Sequence, residues 1–141
     1  PDMNNDQINL VQTSFSKVVP ISETAAELFY GRLFEIAPEV RPLFKGDMKD
    51  QGKKLMTTLN VAVQSLTDLP KLVPVLETLA ISRVPYGVKA EHYDKVGAAL
   101  LWTLEQGLGE SWTPETAEAW TETYKIVAST MINAAYTGEP V

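Results

Sequence analysis

Apolar residues recur at three- and four-residue spacing along almost the whole chain, and no stretch alternates with period two over the length of a strand. That periodicity restricts the chain to packed amphipathic helices. Ile8, Val11, Phe15 and Val18 form a first stripe, ended by Pro20. Ser22 is placed to cap a second helix, with Glu23 in its first turn and Ala26, Phe29, Tyr30 and Leu33 as its stripe. Pro38 to Phe44 reads as a tight helical turn, and Gly46 to Asp50 as a polar connection. Leu55, Met56, Leu59, Val63 and Leu66 mark the next helix. Asp68 and Pro70 open another, which runs through Leu72, Val73, Leu76 and Leu79 and ends at Pro85 and Gly87. Tyr93, Val96, Leu100, Leu104 and Leu108 make a further stripe, closed by Gly109. Thr113 as N-cap and Pro114 as first helical residue open the last helix, which carries Ala117, Trp120, Tyr124, Val127 and Met131 and stops at Gly138.

Six or seven helices with short connections predict an all-α fold. The 141 residues suit a single domain spanning 1–141. A hydrophobic share of 45% against 21% charged is a normal globular balance and argues against disorder. A four-helix bundle would want fewer, longer helices of similar length. The order seen here is two paired helices, a short corner, a further helix pair and two long terminal helices.

Composition removes whole classes of chemistry. With no cysteine there is no disulfide, thiolate metal site or cysteine nucleophile. With one histidine, His92, there is no site that needs two. The net charge of −6, without a Lys/Arg cluster, argues against nucleic acid or anionic lipid as a partner. No charged-then-apolar leader and no bilayer-length apolar run is recognisable, so a cytoplasmic setting is expected.

Seven short pieces in order carry a resemblance: Leu28-Phe29-Tyr30-Gly31-Arg32-Leu33-Phe34, Pro42-Leu43-Phe44, Gln51-Gly52-Lys53-Lys54-Leu55-Met56, Tyr86-Gly87-Val88, Glu91-His92-Tyr93, Val96-Gly97, and Ala119-Trp120 with Tyr124. Together, from about Gln7 to Ile132, they resemble bacterial single-domain globins and the globin domain of flavohaemoglobins. No nucleotide-binding glycine fingerprint accompanies them.

The resemblance implies a three-over-three helical sandwich around haem b. It implies that Tyr30 and Gln51 face the iron's ligand side, with Leu55 as an apolar gate one turn on. It sets Phe44 against the porphyrin, Lys54 within reach of a propionate, and Tyr93 beneath the iron, with Val88 and Arg83 completing the cofactor-binding set. A phenol O–H and an amide N–H aimed at bound O2, NO or CO would stabilise the negative character such a ligand acquires.

In the family the iron-binding histidine stands three residues before the Tyr-Gly pair, and counting back from Tyr86 gives Arg83. Guanidinium stays protonated and offers no lone pair. The axial ligand is therefore open: Tyr30 from the distal side is the first substitute, and Tyr86, Tyr93 and water are the others. His92 is expected to lie too far along and to face outward, while Met48 and Met56 are expected in loop and core. A glutamate that joins the proximal network in flavohaemoglobins is replaced by Ala135, and Glu77 or Asp94 could balance a buried Arg83. Three functions follow: a haem globin that binds O2 or another diatomic gas, a haem-free globin-fold sensor or interaction domain taking an apolar ligand, or an enzyme of NO dioxygenation or peroxidation that needs an external reductase or peroxide. Trp102 and Trp112 are candidates for partial exposure at a contact surface, and oligomeric state is open.

Overall fold

The computed structural model describes residues 3–44, 46–83 and 90–136. The first helix, α1 (Asn5–Val18), begins with a reciprocal cap. The Asn4 side chain accepts from the Gln7 N–H at 2.8 Å, and the Gln7 side chain accepts from the Asn4 N–H at 3.3 Å. Pro20 does end the first stripe, but through a 3-10 turn, Val19–Ile21, that runs straight into α2 (Ser22–Ile36). Ser22 therefore has helical backbone angles and makes no capping bond, contrary to the expected N-cap role. A capping residue needs an extended backbone, which the uninterrupted turn denies it.

Pro38–Leu43 forms the expected tight turn, a 3-10 segment. α3 (Met48–Gln64) starts earlier than the polar composition suggests. Gly46, with φ of 89°, turns the chain, and the Asp47 carboxylate accepts from the Lys49 N–H at 2.9 Å. Met48, Lys49 and Asp50 thus belong to the helix rather than to a connection. α4 (Leu69–Arg83) follows, then α5 (Ala90–Leu108), a 3-10 turn at Gly109–Ser111, and α6 (Pro114–Tyr136). Gly109 takes φ of 53°, a left-handed conformation that ends a helix without side-chain strain. Thr113 caps α6 as expected, its hydroxyl accepting from the Thr116 N–H at 3.1 Å. The expected stops at Pro85, Gly87 and Gly138 lie outside the described residues.

α1, α3 and α4 each pack on a helix of the set α2, α5 and α6. α2 crosses α5 and packs on α3, while α6 packs against both α4 and α1. Among the described residues there is no strand, and no helix is long and apolar enough to cross a membrane. The core gathers the predicted stripes: Val11 and Phe15 of α1, Leu33 of α2, Val63 of α3, Leu76 of α4, Leu104 of α5 and Trp120 of α6 are all buried. Trp102 and Trp112 are half-buried, and the Arg32 guanidinium lies over the Trp102 ring at 5.1 Å.

Trp120 links two helices by a polar bond inside this core. Its indole N–H donates to the Ser14 hydroxyl at 2.8 Å, and that hydroxyl donates to the Leu10 carbonyl at 2.6 Å. Ser14→Ala removes the acceptor and strands a buried N–H, which costs about 1–3 kcal/mol. Urea unfolding monitored by tryptophan fluorescence should show a lower midpoint with an unchanged slope.

Candidate functional site

α2 and α3 approach closely at one point, and a cavity opens beside it. A Cβ added at Gly52 would stand 2.9 Å from the Ala26 Cβ, so only glycine allows this approach. The contact brings Tyr30, one turn along α2, beside Gln51 in the first turn of α3. The Tyr30 hydroxyl donates to the Gln51 backbone carbonyl at 3.2 Å. Its ring is held by aromatic neighbours, stacked on Phe34 at 5.9 Å and edge-on to Phe44 at 5.3 Å.

Beyond this pair lies a cavity of about 200 Å³ with predominantly apolar walls. Tyr30, Phe44, Gln51 and Leu55 line it, joined on α3 by Thr58 and Leu59. α5 supplies His92, Tyr93, Val96 and Leu100, and α6 supplies Tyr124, Val127 and Met131. Gln51 and Leu55 stand one helical turn apart, which puts both on the same face of α3.

The α5–α6 side is fixed by another close approach. A Cβ at Gly97 would fall 2.6 Å from the Tyr124 ring, so glycine lets that ring lie flat on α5. The Tyr124 hydroxyl then donates to the Tyr93 carbonyl at 2.6 Å. Burial pushes the Tyr124 phenol well above its ordinary value, and the nearby Tyr93 and Asp94 add to the effect. Tyr124 is therefore a neutral hydrogen-bond donor.

Five of the residues singled out from the sequence, Tyr30, Phe44, Gln51, Leu55 and Tyr93, come together around this one cavity. Lys54 is exposed and does not line it. Arg83 closes α4, but its side chain lies outside the described residues, as do Val88, Tyr86 and the Ala135 side chain. His92 corrects an expectation: it does not face outward but is half-buried and lines the cavity. The reason is angular. At about 100° per residue, His92 lies only about 40° around α5 from Val96, at the edge of the Tyr93–Val96–Leu100 stripe. Tyr124 and Met131 were placed on the last helix's stripe but not in the site. Their seven-residue spacing, which keeps both on one face, was the available signal.

The globin family model matches residues 27–131. The chain belongs to the globin family. Similar sequences include the flavohemoprotein of Bacillus subtilis, 27% identical over 92% of this chain and 33% of that protein. The flavohemoprotein of Chromobacterium violaceum is 34% identical over 74% of this chain and 26% of that protein. This globin thus spans about a third or less of the length of these relatives. Among solved structures, a bacterial globin from Campylobacter jejuni superposes with a TM-score of 0.83 at 27% identity, covering 95% of this chain and 97% of that one. A hexacoordinated heme protein from an anhydrobiotic tardigrade superposes at 0.87 over 94% and 95% of the two chains. Its identity is only 13%, so it speaks for the fold alone.

The buried Tyr124 phenol ties this globin's stability to alkaline pH. Its proton is held more tightly in the folded chain than in the unfolded one. Its contribution is complete below about pH 10, where the unfolded phenol titrates, and is lost as pH rises beyond that. In urea unfolding at stepped pH, the wild type should lose up to about 1.4 kcal/mol more per pH unit above about pH 10 than Tyr124→Phe does. Identical alkaline slopes would refute the assignment.

Proposed function

We propose that this globin binds haem and takes O2 or another diatomic gas between Tyr30 and Gln51. The observation that carries the reading is the assembly of Tyr30, Phe44, Gln51 and Leu55 around one apolar cavity. Two neutral polar side chains at the edge of an apolar space could give hydrogen bonds to a small polar ligand held there. The relatives named flavohemoprotein support the same reading.

The donor chemistry fits the macrocycle but not the usual axial contact. The walls are apolar, and Phe44 offers a ring face for stacking. On the α4 side, the family's ligand position carries Arg83, whose guanidinium has no lone pair for iron. When bound, haem supplies a ferrous centre able to hold a diatomic gas reversibly. The chain's own side chains do the rest. Tyr30 now gives its O–H to the Gln51 carbonyl, and rotation about the phenol C–O bond would turn that proton to a ligand instead. The Gln51 amide N–H is a second neutral donor, and Leu55 keeps water from competing for either. Lys54, exposed on α3, would be a cation available to a haem propionate.

A second reading rests on Arg83 alone: a haem-free cavity that admits an apolar ligand as part of a sensor or interaction domain. NO dioxygenation or peroxidation, fed by an external reductase or by peroxide, has less support, because the proximal position lacks an electron-rich donor. We expect residues 1–141 to act as one domain in a cytoplasmic setting.

Hemin titration separates the two main readings. We expect one equivalent to give a Soret band and to raise the melting temperature. No band and no shift would leave the apolar-ligand reading. In the ferrous protein, Tyr30→Phe should speed O2 release about tenfold, as loss of one hydrogen bond of roughly 1–1.5 kcal/mol implies. An unchanged release rate in stopped-flow measurements would remove Tyr30 from the ligand site.

A further inference from the structure

We propose that His92, at the start of α5, provides the axial nitrogen for haem iron in this globin, in place of a donor from α4. The inference rests on the haem reading above and on where the structure puts the chain's single imidazole.

Donors that line the cavity can be taken in turn. Phenols bind iron as phenolates, so Tyr30, Tyr93 and Tyr124 would each have to give up a proton first, and Tyr124 is poorly placed to do so. It is buried, lies next to Tyr93 and Asp94, and has its O–H engaged by the Tyr93 carbonyl. Tyr30 has its O–H engaged by the Gln51 carbonyl, and its position suits a donor to the gas. The Gln51 amide and the Thr58 and Thr123 hydroxyls are neutral oxygen groups that bind iron weakly. Met131 offers a soft thioether, which serves iron chiefly as a partner to histidine. Neutral imidazole is the donor that haem iron takes most readily, and His92 is the one residue of the 141 that carries it.

Position agrees with chemistry. His92 opens into the cavity from α5, whereas Tyr30, Phe44, Gln51 and Leu55 come from α2, α3 and the turn between them. A nitrogen from α5 would not draw on the Tyr30–Gln51 pair, which belongs to α2 and α3. Val96 and Leu100 extend the apolar wall along the same stripe, and Gly97 lets the Tyr124 ring pack against the helix.

Because the chain has one histidine, labelling with nitrogen-15 histidine reports on His92 alone and needs no variant. The labelled full chain would be loaded with hemin and examined by pulsed electron paramagnetic resonance. Iron–nitrogen-15 coupling beyond that of the unlabelled porphyrin nitrogens supports the proposal. A Soret band without that coupling overturns it while leaving haem binding intact. No Soret band overturns both the proposal and the haem reading. As a second measurement, His92→Ala should weaken hemin binding by at least about tenfold, and added imidazole should restore the wild-type spectrum. Met131→Leu should leave the nitrogen-15 coupling in place, and its disappearance there would count against His92 as an independent ligand.

Discussion

The Trp120 indole bears on both the core and the cavity, and the arrangement of the long helices depends on it. Its N–H is satisfied by Ser14, its ring lies 6.2 Å from Phe15, and another edge of it faces the cavity. A buried indole without an acceptor would be costly, so Ser14 fixes the rotation of α1 against α6 as well as their separation. That rotation decides which face of α6 looks inward. Tyr124, Val127 and Met131 follow from Trp120 at intervals of four, seven and eleven residues, and so share its side of the helix. The cavity wall is thus an extension of the core stripe rather than a separate surface added to it.

Two glycines then set how the walls close. Gly52 lets α2 and α3 meet, which brings the Tyr30 hydroxyl to the Gln51 carbonyl. Gly97 lets Tyr124 lie on α5, which brings its hydroxyl to the Tyr93 carbonyl. In each case a missing side chain on one helix accommodates a tyrosine or its neighbour on the next. The phenol is then held by a backbone carbonyl, whose position does not depend on a rotamer. This preorganises polar groups in an apolar space without placing a formal charge there.

Periodicity carried the fold because the core is built from regular stripes, and those residues are the buried ones: Ile8, Val11, Phe15, Leu33, Val63, Leu76, Leu104 and Trp120. Sequence reasoning slipped where local chemistry overrode composition. Ser22 has the residue type of a cap, but a 3-10 turn reaches it already helical. Met48–Asp50 look like a polar loop, but the Asp47 cap begins a helix before them. Around the cavity, the aromatic and amide residues were legible through the family pattern. His92 was not, because one residue at the edge of a stripe is easily assigned to the wet face when its neighbour Tyr93 already accounts for the apolar one. Lys54 shows the opposite limit: a long side chain's reach cannot be read from its position on a helix.

The contrast between the two sides of the cavity has a physical sense. An oxygen-like ligand is stabilised by protons it can share, and neutral phenol and amide donors supply these without demanding a counter-ion. A metal-facing donor needs the reverse, an exposed lone pair. Arg83 has none to give, however it is oriented. An imidazole on α5 would restore the complement, with lone-pair donation and proton donation entering from different helices. Such a division would also free the last turn of α4 from ligating duty, so that a permanent cation there would not compete for the metal. A guanidinium would then be compatible with a haem site, the work of that position falling to another helix.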